Sequence, residues 1–145
     1  MLEAMLWVRR LDAAGGVADT ADLHRLGLSD VDIRMFVGYG RIRRVRRGWY
    51  VRPDVDVRIA EACRLGGRLA CISAMEVHGM RPIGEERSPK AAMLHIELRA
   101  NSVLRVPPEE RDVVCVHWKR RASPGTRGIV SRDAALWQAV ACDAW

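Results

Sequence analysis

Gly27-Leu28-Ser29-Asp30-Val31-Asp32-Ile33-Arg34-Met35-Phe36-Val37-Gly38-Tyr39-Gly40-Arg41-Ile42-Arg43-Arg44-Val45-Arg46-Arg47-Gly48-Trp49-Tyr50-Val51-Arg52, residues 27–52, is the stretch on which the fold turns. Ser29 and Asp32 stand three apart as a capping box, and Ile33, Phe36 and Val37 follow at helical spacing with a stop near Gly38 or Gly40. Two short runs, Arg41–Val45 and Trp49–Arg52, flank Arg46-Arg47-Gly48; they are rich in β-branched and aromatic residues and read as a β-hairpin.

Upstream, Leu2, Met5, Leu6, Val8 and Leu11 recur at helical spacing until Gly15-Gly16 breaks the pattern, predicting a helix over residues 2–14. After a short Val17-Ala18 step, Asp19 or Thr20 caps a second helix, Ala21–Leu26, closed by Gly27. The turn Gly27-Leu28-Ser29 lets this helix cross the next one steeply, as in a helix-turn-helix. Three helices followed by a basic hairpin give a winged helix-turn-helix over residues 1–53.

Downstream of Pro53 the pattern is mixed. Helices are expected over Val57–Leu65, from a Ser73 cap to Gly79, and from Ser131 or Arg132 to Trp145. Leu94–Arg99 alternates strictly, so Leu94, Ile96 and Leu98 are assigned to the core and His95, Glu97 and Arg99 to water; Val113–Trp118 is a second strand. The expected fold class is α+β, a winged helix followed by a small α+β domain at 54–145 that binds a partner, oligomerises or adds a second DNA contact.

The 145-residue chain has a formal charge of +6, carried almost wholly by arginine. Between Gly40 and Pro53 lie six arginines, Arg41, Arg43, Arg44, Arg46, Arg47 and Arg52, and no acid. An anion belongs there, and a short helix pair directly upstream makes duplex DNA the fitting one. In such a module the second helix of the pair enters the major groove, so Ser29, Asp30, Val31, Arg34 and Met35 are assigned to DNA. Arg34 is the base reader, because its fork matches guanine O6 and N7, a contact worth about 1–3 kcal/mol. Arg41, Arg43, Arg44, Arg46 and Arg47 are assigned to the backbone or minor groove, and Lys119, Arg120 and Arg121 to a further basic contact. Asp30 and Asp32 serve mainly the helix N-terminus.

No catalytic residue, cofactor or metal is assigned. Glu97-Leu98-Arg99 has the acid-x-base form of a nuclease strand, but no second acid is placed beside it, and a surface charge pair is the simpler account. His95, Cys115 and His117 could share a sheet face, yet their spacing matches no metal motif. Cys63, Cys71, Cys115 and Cys142 form no Cys-x-x-Cys pair and read as reduced thiols. The opening residues, with Glu3 and Arg9-Arg10, form no signal peptide, and no apolar run approaches a membrane span. A cytoplasmic monomer or homodimer, without membrane contact, is expected.

Gly15-Gly16-Val17, Thr20-Ala21-Asp22-Leu23, Gly27-Leu28-Ser29 and the run Gly40–Val51 together resemble the N-terminal winged-helix domain of AbiEi-type antitoxins, in the form found in actinobacterial and phage proteins. Ser73-Ala74, His78-Gly79-Met80, His95-Ile96-Glu97 and the last helix more loosely resemble the linking domain that follows it in related proteins. The resemblance implies a repressor, often of its own toxin-antitoxin or phage-defence operon, with recognition helix and hairpin on DNA. Some relatives continue into a nuclease domain that this chain stops short of, which equally suits a stand-alone phage or prophage repressor. Two other readings stand beside it. In one, Trp118, Trp137 and Trp145 meet an acidic toxin, making the chain a protein-binding antitoxin; in the other it is the targeting half of a truncated nuclease.

Overall fold

The computed structural model describes residues 2–80 and 88–144, with side chains from residue 6 onward. Helix α1 (Leu2–Ala13) turns Trp7 and Leu11 inward, four residues apart. They meet Leu23, Leu28, Ile33 and Ile42 in one apolar cluster with Phe36 and Tyr50 half-buried against it, and the Trp7 and Phe36 rings lie 4.8 Å apart. The predicted contacts of Leu2 and Met5, and the role given to Trp145, lie outside the described residues.

Helices α2 (Thr20–Arg25) and α3 (Asp30–Gly38) each start on a reciprocal capping box. Asp19, not Thr20, caps α2, its carboxylate accepting from the Asp22 amide at 2.7 Å. Ser29 Oγ accepts from the Asp32 amide at 3.1 Å, while the Asp32 carboxylate accepts from the Ser29 amide at 2.9 Å. Each box satisfies amides that the first helical turn leaves without partners.

The wing strands β2 (Arg43–Arg46) and β3 (Trp49–Val51) pair antiparallel, and Gly48 at φ 77° supplies the left-handed residue of their turn. Val17–Asp19 is a strand, β1, where the sequence showed only a connecting step. It pairs with the other edge of β3, Val17 opposite Val51 and Asp19 opposite Trp49, giving the order β1-β3-β2. Three residues carry no visible strand period; the free hydrogen-bonding edge of β3 makes them one.

The remainder runs α4 (Val57–Arg64), β4 (Arg68–Leu69), α5 (Cys71–Val77), β5 (Leu94–Arg99), a 3₁₀ segment Pro108–Val113, β6 (Val114–Lys119) and α6 (Arg132–Cys142). A second sheet has the order β4-β5-β6, with β4 antiparallel and β6 parallel to β5. Val17 and Val51 are buried in the same apolar cluster as Ile59, Leu65, Leu69, Ile96 and Val130, so residues on both sides of Pro53 share an interior. Gly15, at φ 81°, adjoins Thr126 so closely that a Cβ would fall 2.2 Å from its Oγ1.

Two expectations for this part are corrected. First, β5 does not present half its residues to water: His95, Ile96, Glu97 and Leu98 are all buried, because β5 is the central strand of its sheet and is covered on both faces. Glu97 is no surface partner of Arg99; it accepts from Arg68 Nη2 at 2.7 Å and Nε at 2.9 Å, from Gln138 Nε2 at 2.9 Å, and from the Ser123 hydroxyl. Burial raises the Glu97 pKa, but the bonds from Ser123 and Arg68 outweigh it and leave the carboxyl below its ordinary range. Second, Ser73 does not cap α5, which starts at Cys71 behind Ala70 without a side-chain cap. The Ser73 hydroxyl lies inside and accepts from the His95 amide at 3.0 Å.

Candidate nucleic-acid interface

The capping box at Ser29 sets the rotation of α3. Ile33 then falls inward, 4 % exposed, and Phe36 lies half-buried against Trp7. Val31, Arg34 and Met35, at i, i+3 and i+4, share the solvent face. Val37, expected in the core beside Phe36, is exposed, because Ile33 and Phe36 already fill the inward arc of this short helix. Arg34 pairs with no described residue. Ser29 and Asp30 sit exposed at the helix entrance, where Asp30 Oδ1 lies 2.7 Å from His24 Nε2 across the turn.

In the wing, a register shift between Arg44 and Arg46 marks a bulge at Val45. It sends the arginines in two directions, as bulges do by adding one residue to a strand. Arg41, Arg43, Arg44 and Arg47 are exposed and pair with no described residue. Arg46 turns inward: its Nε donates to the Cys63 carbonyl at 2.8 Å, and its guanidinium stands 4.7 Å from the centre of the Trp49 ring. Cys63 lies in the last turn of α4, at the negative end of the helix dipole, and its carbonyl accepts from the Gly66 amide at 3.1 Å as well as from Arg46. Burial pulls the Arg46 pKa below the ordinary guanidinium range. Arg52 is likewise engaged, with Asp12 and, at 2.9 Å, with Asp54.

Lys119, Arg120 and Arg121 leave the end of β6, Lys119 half-buried and the other two exposed. The chain then returns to the wing. Ser123, Thr126 and Arg127 line a cleft of about 650 Å³ together with Arg46, Trp49, Arg68 and Arg99. Arg127 also reaches α2, its Nη2 2.9 Å from Asp22 Oδ1. Burial raises the Asp22 pKa, but the Asp19 amide and Arg127 outweigh it and keep the carboxyl below its usual range.

Two features escaped the sequence reading. Tyr39, directly after α3, is 76 % exposed, and the Gly38-Tyr39-Gly40 run that isolates it was the available signal. The Arg127–Asp22 contact had no signal, since 105 residues separate its partners.

Residues 8–53 match the family model described as transcriptional regulator, AbiEi antitoxin. The matched span covers the second half of α1, the helix pair and the whole wing, the segment that carried the resemblance in the sequence. No curated protein matches the chain. Among the described residues, no helix is long and apolar enough to cross a membrane.

Proposed function

We propose that the chain is a sequence-specific double-stranded DNA-binding repressor that regulates its own locus, of the toxin-antitoxin, phage-defence or phage-immunity kind. The observation that carries this reading is a cationic surface that pairs with no described residue, within a segment matching a regulator family. Arg34 stands on the outward face of α3, and Arg41, Arg43, Arg44 and Arg47 stand on the adjoining wing. In the proposed complex α3 lies in the major groove and Arg34 grips a guanine, with Val31 and Met35 beside it as apolar contacts for thymine methyl groups. The four wing arginines hold phosphates or enter the adjacent minor groove. Lys119, Arg120 and Arg121 extend the backbone contact. Arg46 is removed from the phosphate set and given a supporting role, because Cys63 and Trp49 already occupy its guanidinium.

The test is a fluorescence-anisotropy titration of the full chain on duplex DNA from upstream of its own reading frame, against a shuffled duplex, over a series of salt concentrations. The expected result is preference for the upstream duplex. Log affinity falls with log salt by about 0.9 per phosphate engaged, a slope of roughly −3 to −4 from the four wing arginines and steeper with each contact that Lys119, Arg120 and Arg121 add. Equal affinity for the two duplexes, or a flat salt dependence, overturns the proposal. Footprinting the same duplex separates a monomer on one site from a homodimer on two half-sites about a turn apart.

A second reading, a protein-binding antitoxin, draws on α6, where Trp137 is 74 % exposed beside exposed Leu136 and Val140. Capture of a toxin that is lost on Trp137→Ala, with DNA binding intact, supports that activity in addition to the first.

A further inference from the structure

Cys71, His95, His117 and Cys142 come from four elements, the start of α5, β5, β6 and the end of α6. Their Sγ and ring-nitrogen atoms all lie within 4.8 Å of one another, and Cys71 and His95 are fully buried. A tetrahedral ion bound at about 2.0–2.3 Å holds its ligands roughly 3.3–3.8 Å apart, so a modest inward rotation of side chains closes the set. We propose that these residues form a Cys₂His₂ site for a single divalent transition-metal ion of the zinc class.

Three further observations support it. His95 Nε2 donates to the Lys90 carbonyl at 2.7 Å, which fixes the tautomer and leaves Nδ1 with its lone pair 3.1 Å from His117 Nε2. A backbone carbonyl holding the far nitrogen is how metal-ligating histidines are usually oriented. Gln138 Oε1 accepts from the Cys71 amide at 3.0 Å, so α6 grips one ligand through its backbone while supplying another at Cys142. Cys71, a ligand, has φ 54°, a left-handed conformation that is unusual for a non-glycine residue at the start of a helix. Such conformations cost on the order of 1–3 kcal/mol and concentrate where a site imposes them.

On binding, each of the two thiols gives its proton to solvent, and two thiolates with two neutral imidazoles offset the dication. Thiolate and imidazole ligands in a tetrahedral frame select zinc over magnesium or calcium. With all four positions filled by protein, the ion is structural: it ties the start of α5 and the end of α6, where they meet, to β5 and β6 of the sheet. Cys115, although its Sγ lies 3.9 Å from His117 Nε2, is not among the four residues whose ligand atoms are all mutually within 4.8 Å and is left outside the proposed set.

The experiment titrates cobalt(II) into the full, fully reduced chain and then displaces it with zinc. The expected result is one equivalent of cobalt showing visible bands of tetrahedral coordination and a near-ultraviolet thiolate charge-transfer band, displaced by one equivalent of zinc. Cys142→Ser, at the end of the last helix, weakens binding by more than the roughly 10–100-fold that loss of an outer-shell partner costs, and circular dichroism reports whether its fold is kept. Cys115→Ser retains the charge-transfer band. Absence of that band in the reduced wild-type chain, an unchanged cobalt affinity in a folded Cys142→Ser, or loss of the band in Cys115→Ser overturns the assignment.

Discussion

Arg46 lies on the wing but donates to the carbonyl of Cys63 in the last turn of α4, at 2.8 Å, so a residue of the basic strand fixes the wing to the body of the protein. The outward arginines inherit their direction from this contact and from the bulge beside it.

Arg46→Ala therefore differs in kind from Arg44→Ala. Loss of a charged hydrogen bond worth about 1.5–3 kcal/mol, and of the stacking on Trp49, lowers unfolding stability in a denaturant melt. The salt slope of DNA binding is unchanged. Arg44→Ala leaves stability within about 0.5 kcal/mol and makes the slope shallower by about one. A reversal of the two phenotypes would remove Arg46 from its supporting role.

Arg34→Ala relaxes base preference. Affinity for the upstream duplex falls by about 1–3 kcal/mol while affinity for the shuffled duplex changes little, as parallel anisotropy titrations read. An equal loss on both duplexes would show a phosphate contact instead.

Ser29 separates folding from binding at the helix entrance. Ser29→Ala removes the acceptor of the Asp32 amide and costs about 0.5–2 kcal/mol in thermal or urea unfolding. Ser29→Asp restores the cap and the stability but adds a carboxylate at a position assigned to DNA, where the proposed complex would bring phosphate close, so DNA affinity falls below that of the unaltered chain. Recovery of both properties in Ser29→Asp argues against phosphate at that position.

Glu97 governs acid stability. Its folded pKa lies below the unfolded value of about 4.3, so its contribution is fully present above that pH and is lost as pH falls through the folded value. Glu97→Gln flattens the acid limb of stability measured by urea melts at successive pH values. Glu97→Ala leaves the largely enclosed Arg68 guanidinium without its countercharge, held only by the Thr126 and Ser123 carbonyls, and costs up to about 3–5 kcal/mol at neutral pH. An unaltered acid limb in Glu97→Gln contradicts this account.

What the sequence determined by itself was set by near neighbours along the chain: the main helices apart from the start of α5, the Ser29–Asp32 box, the glycine turns, the hairpin and the basic character of the wing. These are legible because helical spacing, capping and turn chemistry act along the chain. The tertiary structure decided the rest. β1 is a strand only because β3 offers it an edge, and Glu97 is buried only because β5 lies between two strands with Arg68, Ser123 and Gln138 meeting its carboxylate. Arg46 and Arg44 are chemically identical two positions apart, and their directions differ because a bulge and a distant helix end act on one of them. Cys71 and Cys142 join His95 and His117 from positions with no common spacing. Local rules fix which residues can make an element, whereas contacts between residues far apart in the chain fix which face of it is left for function.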